Sequence, residues 1–400
     1  MSSSTYRTVL GTPGAAAFFA TAAVGRVGIA MTSLGLVWLV HARTGSYTVA
    51  GAVTGSFAVA EAVVGPQVGR LIDRLGQTRV LPPLLLAHAS AVAALLGLVS
   101  AAGPVWSMAG GGVLAGATIP QLGALSGSRW SALLRGDAAA ALPTAFSLES
   151  LSNGAAYLAG PVVVSAVAAT GHAALGTVLA AALIVGGGLA LAAQHRTAPA
   201  PTGAGGHHHG AGRSMLGRTF VVLVGVNLGI GAYFGAIQVS VTAFAVESGA
   251  PGSAAPLYAV SSCAGLLAGW LYGLRRWRTS PTHQLALATT GLTLGSLFLL
   301  KASSPLTVAV GLAATGLAVP PILVVCSVLA QRSVPSTVLT QAFTWLSSAG
   351  AAGTAGTAAI SGRVIDTHAS HGGFTIAATA ATTIALLAAG YVITTTRRRT

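Results

Sequence analysis

The feature that most limits the fold of this chain is a series of long apolar runs separated by short polar connections. Twelve runs lie within the 400 residues, near 14–40, 48–68, 80–101, 104–128, 141–169, 173–193, 219–246, 254–274, 283–302, 305–330, 338–361 and 374–395. An α-helix needs about 20 residues to cross the hydrocarbon core of a bilayer, and the runs are close to or above this length. Only 6% of the residues are charged, whereas soluble domains carry roughly 25%. The sequence therefore predicts an all-α membrane protein with twelve transmembrane helices embedded in lipid.

The basic residues indicate how these helices are oriented. An even number of spans places both chain termini on one side of the membrane. Of the 20 Lys and Arg residues, 16 lie in the connections on that side, three lie on the opposite side, and Arg26 lies within a span. Because basic residues concentrate in cytoplasmic loops, we expect a plasma (inner) membrane protein with cytoplasmic termini. The formal charge of +14 is divided among short clusters between apolar runs, so it does not indicate nucleic-acid binding.

The two halves of the sequence resemble each other at a spacing of about 200 residues, as in a duplicated bundle. Gly65 and Gly69, for example, recur as Gly265 and Gly269. The segment between the halves is rich in Pro, Gly and Ala, which is typical of a flexible connector. The predicted units are an N-terminal six-helix bundle (1–195), a cytoplasmic linker (196–217) and a C-terminal six-helix bundle (218–400).

Motifs for catalysis and cofactor binding are missing from the sequence. There is no nucleotide-binding Gly-x-x-x-x-Gly-Lys loop, which argues against ATP as the energy source. Cys263 and Cys326 lie in different apolar runs, which argues against a disulfide or a thiolate metal site. The linker contains His207, His208 and His209, but with no cysteine or carboxylate nearby we interpret them as a solvated loop rather than a metal site. We therefore expect neither an enzyme nor a cofactor.

The charged connection after the second apolar run carries the most specific motif. Its pattern is Gly-x-x-x-Asp-Arg-x-Gly with an Arg three places on, formed by Gly69, Asp73, Arg74, Gly76 and Arg79. This pattern resembles the loop between the second and third helices of the major facilitator superfamily. In that family the loop is a cytoplasmic latch, whose Asp contacts basic groups and a neighbouring helix end while one side of the carrier is shut. The resemblance implies the fold of that superfamily, a small-molecule substrate and function as a monomer.

The corresponding connection in the second half departs from this pattern. It keeps Gly269 and the arginines Arg275 and Arg276, but Gly273 stands where the Asp is expected. The two latches are therefore predicted not to be electrostatically equivalent.

Three charged residues lie inside predicted spans, namely Arg26, Glu61 and Glu149. An ionised side chain at the centre of a bilayer costs about 2.5–3.5 kcal/mol on insertion scales, so such residues are functional candidates. Arg26 can bind an anionic substrate group, or it can form a structural pair with Glu149 or Glu61. The two glutamates are also candidates for proton binding, because burial without a cation favours the neutral carboxyl.

Glu149, Asn153 and Tyr157 follow one another at four-residue spacing and so share one helical face. This polar stripe ends at Gly160-Pro161. A Gly-Pro at this place resembles the antiporter signature of exporting members of the superfamily, in which small residues let helices of the two halves pack closely and the proline bends the helix. The alternative is an ordinary contact between small residues of membrane helices.

Pro120 and the pair Pro320-Pro321 occupy corresponding places in the two halves. Helix breaks at matching positions of two repeats are typical of transporter binding sites. The polar and aromatic candidates for substrate contact near these breaks are Gln121 in the fourth run and Asn227, Tyr233 and Gln238 in the seventh. Single amides in membrane helices also simply bind a neighbouring helix, so both interpretations stay open for Asn227 and Gln238.

The resemblance predicts a secondary active transporter for a small, amphipathic molecule, most simply an exporter coupled to protons. One departure bears on coupling: drug exporters of the superfamily usually carry Arg-x-x-Gln-Gly in the fourth span, whereas residues 103–127 contain no Arg. The alternatives are an importer or facilitator of a sugar or organic anion, with Arg26 as the anion anchor, and a non-transporting membrane sensor with the same fold.

Overall fold

A computed structural model describes residues 5–202, 217–275 and 277–396. The first half of the described chain contains α1 (Tyr6–Leu10), α2 (Ala15–Thr44), α3 (Tyr47–Leu75), α4 (Gln77–Ser100), α5 (Val105–Thr118), α6 (Leu122–Leu133), α7 (Leu142–Ala169) and α8 (Ala173–Ala192). The second half contains α9 (Arg218–Glu247), α10 (Ala254–Leu274), α11 (Pro281–Leu299), α12 (Pro305–Ser333) and α13 (Leu339–Thr396). The predicted histidine cluster of the linker, His207–His209, lies outside the described residues.

These helices form the predicted twelve spans. α5 and α6 together make one span, which is interrupted at Pro120, and α13 makes two spans that meet at Ala369 with a φ of 55°. Within the described residues, nine helical segments are long and apolar enough by length and composition to cross a membrane. The prediction of an all-α membrane protein with twelve transmembrane helices is confirmed.

Local sequence signals fix where several helices begin and end. Ser46 starts α3 by accepting a hydrogen bond from the backbone N–H of Val49, and Ser304 and Thr307 form a reciprocal capping box at the start of α12. Such caps satisfy backbone N–H groups that have no partner within the helix. The ends of the spans are therefore determined by short polar residues and turns, and the apolar stretches between them fill the membrane.

Close packing inside each half depends on small residues. At Gly116 of α5 an added Cβ would overlap the backbone carbonyl of Phe57 in α3, and at Gly231 of α9 it would overlap the carbonyl of Gly350 in α13. Because lipid is as apolar as the helices, membrane helices associate largely through such close backbone approach. The many glycines of this sequence thus bring the helices of each half together.

Only one of the two predicted helix breaks is found. At Pro120 the preceding residue, Ile119, is extended with ψ 125°, and the helix restarts after Gln121. Pro320 and Pro321 lie inside α12, which is continuous from Pro305 to Ser333, so the break predicted there is wrong. A proline φ near −65° is compatible with a helix, and packing against neighbouring helices allows membrane helices to contain proline without breaking.

Two polar connections are shorter than the sequence suggested. Gly76 alone joins α3 to α4, with a φ of 95° that favours glycine, so Asp73 and Arg74 lie in the last turn of α3 and Arg79 lies in the first turn of α4. Arg129, one of the 16 basic residues that the sequence analysis counted in connections, lies within α6 and is fully buried. Both connections are shorter than expected because the helices extend beyond their apolar residues into the neighbouring polar ones.

The two halves contact each other mainly through α3 with α13 and through α7 with α10 and α12. Five hydrogen bonds join the halves near one side of the membrane, the side on which α1, the end of α8 and the start of α9 lie. We call this side the terminal side. The described molecule is therefore closed between its halves at the terminal side.

Candidate functional site

An ion pair joins two helices of the first half. Arg26 of α2 is 4% exposed, and its guanidinium pairs with the carboxylate of Glu149 in α7. The same carboxylate accepts hydrogen bonds from Ser126 Oγ at 2.6 Å and from Trp130 Nε1 at 2.6 Å, both in α6. Of the two partners that the sequence left open for Arg26, the structure thus places Glu149 beside it. The charge of Glu149 is matched by one cation and two neutral donors.

The break at Pro120 contributes to the surroundings of this pair. After the break α6 starts at Leu122, and Gly123 in its first turn lies against the guanidinium of Arg26. An added Cβ at Gly123 would lie 3.6 Å from Arg26 Nε. Arg26 Nε itself has no hydrogen-bond partner among the described residues. The pair is therefore tightly packed on the side of Glu149 and has one unused donor on the side of Gly123.

Glu61 of α3 has a different environment. Its Oε1 accepts a hydrogen bond from Gln121 Nε2 at 2.8 Å, and within the described residues it forms no ion pair. One turn further along α3, a Cβ at Gly65 would lie 3.2 Å from Ser348 Oγ in the second half. Glu61 is thus a half-buried carboxyl near the contact between the halves, held by a neutral amide.

The polar stripe of α7 lies between the side of this helix that packs against its own half and the side that faces the second half. Gly160 faces α2, and Gly154 faces Leu266 of α10. At about 100° of rotation per residue, Asn153 and Tyr157 lie between these two directions. Both side chains are exposed, Tyr157 by 59%. Asn153 and Tyr157 therefore face the space between the halves beyond the terminal-side contacts, which we call the cleft.

The candidates on α9 divide into packed and accessible residues. Asn227 is 8% exposed and its Nδ2 donates to the carbonyl of Leu223 at 2.8 Å, while Tyr233 is 2% exposed. Gln238 is exposed. In this arrangement Asn227 and Tyr233 stabilise helix packing, and Gln238 is the member of this group that a ligand can reach.

The antiporter-like Gly160-Pro161 does not pack the two halves together. A Cβ at Gly160 would lie 3.0 Å from the Cβ of Ala30 and 3.2 Å from the backbone nitrogen of Met31, both in α2 of the same half. Pro161 lies within α7, which is continuous from Leu142 to Ala169. A glycine of α7 that does approach the second half is Gly154, about two turns nearer the terminal side, where an added Cβ would lie 3.2 Å from Leu266. Gly160 is therefore a contact between helices of one half, as the alternative interpretation of the sequence held.

The Asp of the charged motif joins the halves at the start of α13. The carboxylate of Asp73 accepts hydrogen bonds from the backbone N–H groups of Thr340, at 3.1 Å, and Gln341, at 2.8 Å. The first turn of a helix has free N–H groups and a partial positive charge. The motif thus binds a helix end of the other half, and Asp73 forms no ion pair with a basic side chain among the described residues.

The related connection of the second half closes the terminal side without a carboxylate. The carbonyl of Gly273 accepts a hydrogen bond from Thr144 Oγ1 at 2.9 Å, and the hydroxyl of Tyr6 donates to the carbonyls of Gly269, at 3.1 Å, and Trp270, at 2.8 Å. Burial raises the pKa of Tyr6 to about 12, so its hydroxyl remains a donor at neutral pH. The expected inequality of the two latches therefore has a structural basis in backbone acceptors.

Gly273 is packed too closely against Tyr6 and Ser147 for a side chain to fit at this position. An added Cβ there would overlap the Tyr6 hydroxyl and lie 2.7 Å from Ser147 Cβ. We expect Gly273→Ala to displace Tyr6 and to lower the stability of the closed terminal side by about 1–3 kcal/mol, as overpacking does. Gly265→Ala on the same helix is the control, since its Cβ would meet its nearest neighbour at an ordinary 3.4 Å. Thermal unfolding of both purified variants tests this, and equal melting temperatures would contradict it.

Several residues that form contacts in these sites were not predicted from the sequence. Ser126 and Trp130 were not recognised as partners of Glu149, and Tyr6 and Thr144 were not recognised as part of a latch. Each is a common residue type with no distinctive spacing. A usable signal was the polarity of Ser126 inside an apolar run, because a buried hydroxyl needs a partner.

Comparison with known proteins supports the fold. No protein-family model and no curated protein matches the chain. A bacterial homologue of the iron transporter ferroportin, solved in an outward-facing state, is similar with a TM-score of 0.75 at 12% identity, covering 94% of this chain and 99% of that one. The human organic anion transporter MFSD10 is similar with a TM-score of 0.71 at 14% identity, covering 94% and 98%. The major facilitator superfamily transporter FucP, in the outward conformation, gives 0.68 at 15% identity, covering 92% and 97%.

The architecture is thus that of a multi-pass membrane protein, and the solved structures that share its fold are those of transporters. More specifically, the chain has the fold of the major facilitator superfamily, as the motif at Asp73 predicted. At 12–15% identity the likeness concerns the fold, and the activity has to be argued from the residues of this chain.

Proposed function

We propose that the protein is a secondary active transporter that exports a small amphipathic molecule across the plasma membrane by alternating access. The observation that carries the proposal is the combination of a closed terminal side with ionisable and polar residues that lie at the cleft between the halves. In this proposal the terminal side is cytoplasmic, as the distribution of Lys and Arg favours. The described molecule then corresponds to a state open to the outside.

Protons are the proposed driving ion, and Glu61 is the proposed proton carrier. Its carboxyl has a neutral amide rather than a cation as its neighbour, so protonation removes a charge from an apolar environment. Glu149 is already matched by Arg26, Ser126 and Trp130. A carboxyl in the position of Glu61 can bind a proton from one side and release it when the halves rearrange.

The proposed substrate class is supported by exposed side chains of α7 and α9. Tyr157, Phe234 and Gln238 offer aromatic and amide contacts, and Phe234 is 43% exposed. The guanidinium of Arg26 is occupied by Glu149, which counts against an importer that uses Arg26 as an anion anchor. We therefore favour an amphipathic substrate without a strong negative charge.

Replacement of Glu61 by Gln tests the proposed coupling. A sensitivity screen of cells with and without the protein, repeated with the proton gradient collapsed, identifies a substrate. In proteoliposomes with an imposed pH gradient, we expect Glu61→Gln to abolish pH-driven flux of that substrate, because Gln cannot carry a proton. Exchange along the substrate's own gradient should persist, since the Gln side chain can keep the contact with Gln121.

The matched control is Glu247→Gln. Glu247 is an exposed carboxylate that accepts a hydrogen bond from the backbone N–H of Ser370 at 2.7 Å, within the second half. This variant should retain pH-driven flux. Unchanged coupling in Glu61→Gln would remove Glu61 from the mechanism, and a lack of any flux in the unmodified protein would favour a non-transporting membrane protein.

A further inference from the structure

A cavity of about 300 Å³ lies on the terminal side, away from the cleft. Its walls come from the end of α6, from the segment that follows α8, and from the residues just before α13. The polar residues in its wall are Arg135, Arg196, Thr197, Thr202, Ser336 and Thr337. The cavity therefore joins the first and second halves at the surface of the protein.

Residues 197–202 form part of the cavity wall and are held at both ends by hydrogen bonds. At one end, Arg129 donates from a guanidinium nitrogen to Thr197 Oγ1 at 2.7 Å. At the other end, the backbone N–H and the hydroxyl of Thr202 both donate to the carbonyl of Asp73, at 3.1 and 2.7 Å. The buried Arg129 is itself fixed by Gln77 Oε1 at 2.8 Å and by the carbonyl of Leu191 at 2.9 Å. The wall formed by residues 197–202 is thus preformed.

The charged side chains that line the cavity are basic. The carboxylate of Asp73 lines an adjoining cavity, where it accepts hydrogen bonds from the backbone N–H groups of Thr340 and Gln341. Arg135 and Arg196 are both exposed, and neither forms an ion pair with a carboxylate among the described residues. Asp137, two residues after Arg135, does not line the cavity. A guanidinium presents several N–H donors in a plane that matches the oxygens of a phosphate group. Ser336 and Thr337 add hydroxyl groups from the second half.

We propose that this cavity binds a phosphate-bearing anion between Arg135, Arg196 and the hydroxyls of Ser336 and Thr337. Its volume lies at the lower end of the roughly 300–1,000 Å³ of small-molecule sites. Because its walls come from both halves, the complete site exists only while the terminal side is closed. A bound anion therefore favours the closed state, since a ligand shifts an equilibrium toward the state that it binds better. Binding itself does not depend on the proposed transport activity.

The phosphate group can come from a soluble compound or from the headgroup of an anionic lipid, and two arms of one experiment separate these sources. In the first arm, the full chain in detergent is titrated with inorganic phosphate at constant ionic strength. In the second arm, the full chain is placed in nanodiscs of phosphatidylglycerol or of phosphatidylcholine. The readouts are calorimetric binding in the first arm and the thermal midpoint in both, because ligands of the folded state raise that midpoint.

The test variant is Arg135→Gln with Arg196→Gln, and the control is Arg7→Gln with Arg218→Gln. The control residues are exposed arginines on the terminal side that do not line the cavity, so both variants change the net charge equally. We expect the unmodified protein to respond in at least one arm and the test variant to lose about tenfold or more in affinity for phosphate, or the lipid-dependent rise in midpoint. The control should respond like the unmodified protein. No response in either arm, or an equal loss in both variants, would overturn the proposal.

Discussion

Glu149→Gln is expected to destabilise the protein by about 3–5 kcal/mol, because it leaves a buried guanidinium without its counter-charge. Arg26 is 4% exposed, so water cannot replace the lost carboxylate. The neutral amide at position 149 can still contact Ser126 and Trp130, but it cannot offset the positive charge. Thermal unfolding of the purified variant measures this loss, and flux in proteoliposomes measures transport, which we expect to be abolished.

The double variant Arg26→Leu with Glu149→Leu separates a structural pair from a functional one. Replacing both members of a buried ion pair by apolar residues is often neutral or stabilising, so the double variant should recover most of the stability that the single variant loses. If the pair takes part in transport, the double variant is stable and inactive. A stable double variant with normal flux would mean that the pair serves helix packing alone.

The sequence contained enough information to predict the spans and the positions of the buried charges. Long apolar runs report the length of a membrane helix directly, and Arg26, Glu61 and Glu149 stood out against a chain with only 6% charged residues. The partner of Arg26 was not predictable, because the sequence places Glu61 and Glu149 at similar distances from the terminal-side ends of their predicted spans. In the structure, Ser126 and Trp130 of α6 bind the carboxylate of Glu149 beside Arg26, whereas Gln121 binds Glu61.

The errors in the sequence analysis have a common cause. Pro320-Pro321 was judged by residue type to interrupt its helix, yet both prolines lie in a continuous helix. The antiporter-like interpretation of Gly160 also rested on residue type, yet Gly160 packs against α2 of its own half. Whether a proline interrupts a membrane helix depends on the groups packed around it. The same holds for Gly273, whose role follows from the position of Tyr6, more than 250 residues away in sequence. Contacts of this kind leave no local pattern.

The two terminal-side latches perform one task by different means. In the first, the carboxylate of Asp73 binds the N–H groups at the start of α13. In the second, the acceptors are backbone carbonyls: Gly273 accepts from Thr144 near the start of α7, and Gly269 and Trp270 accept from the hydroxyl of Tyr6. A charged acceptor at a helix N-terminus is the stronger of these interactions, since hydrogen bonds to charged groups are worth about 1.5–3 kcal/mol and neutral ones about 0.5–1.5 kcal/mol. The closed state should therefore depend mainly on Asp73.

Asp73→Ala is accordingly expected to open the terminal side in a large fraction of molecules. The loss of one charge-assisted hydrogen bond of about 1.5–3 kcal/mol changes the ratio of closed to open molecules by roughly ten- to 150-fold, and Asp73 makes two such bonds. Asp73→Asn should have an intermediate effect, because its amide oxygen still accepts a hydrogen bond but carries no charge. The population of the two states can be followed by distances between spin labels.

Exposed positions on both sides of the membrane suit these labels. Arg79→Cys with Arg332→Cys reports on the terminal side, and Arg43→Cys with Lys301→Cys reports on the opposite side, each pair in a background without Cys263 and Cys326. In Asp73→Ala the first distance should lengthen and the second should shorten.

Glu247→Gln is the control for Asp73→Ala, because it removes a carboxylate that also accepts from a backbone N–H at a helix start, but within one half. Its effect should be confined to stability, with both label distances unchanged. If Asp73→Ala likewise lowered the melting temperature but left both distances unaltered, Asp73 would only stabilise the start of α13. The closed state would then depend on the packing of α3 against α13 and α7 against α10 rather than on the carboxylate.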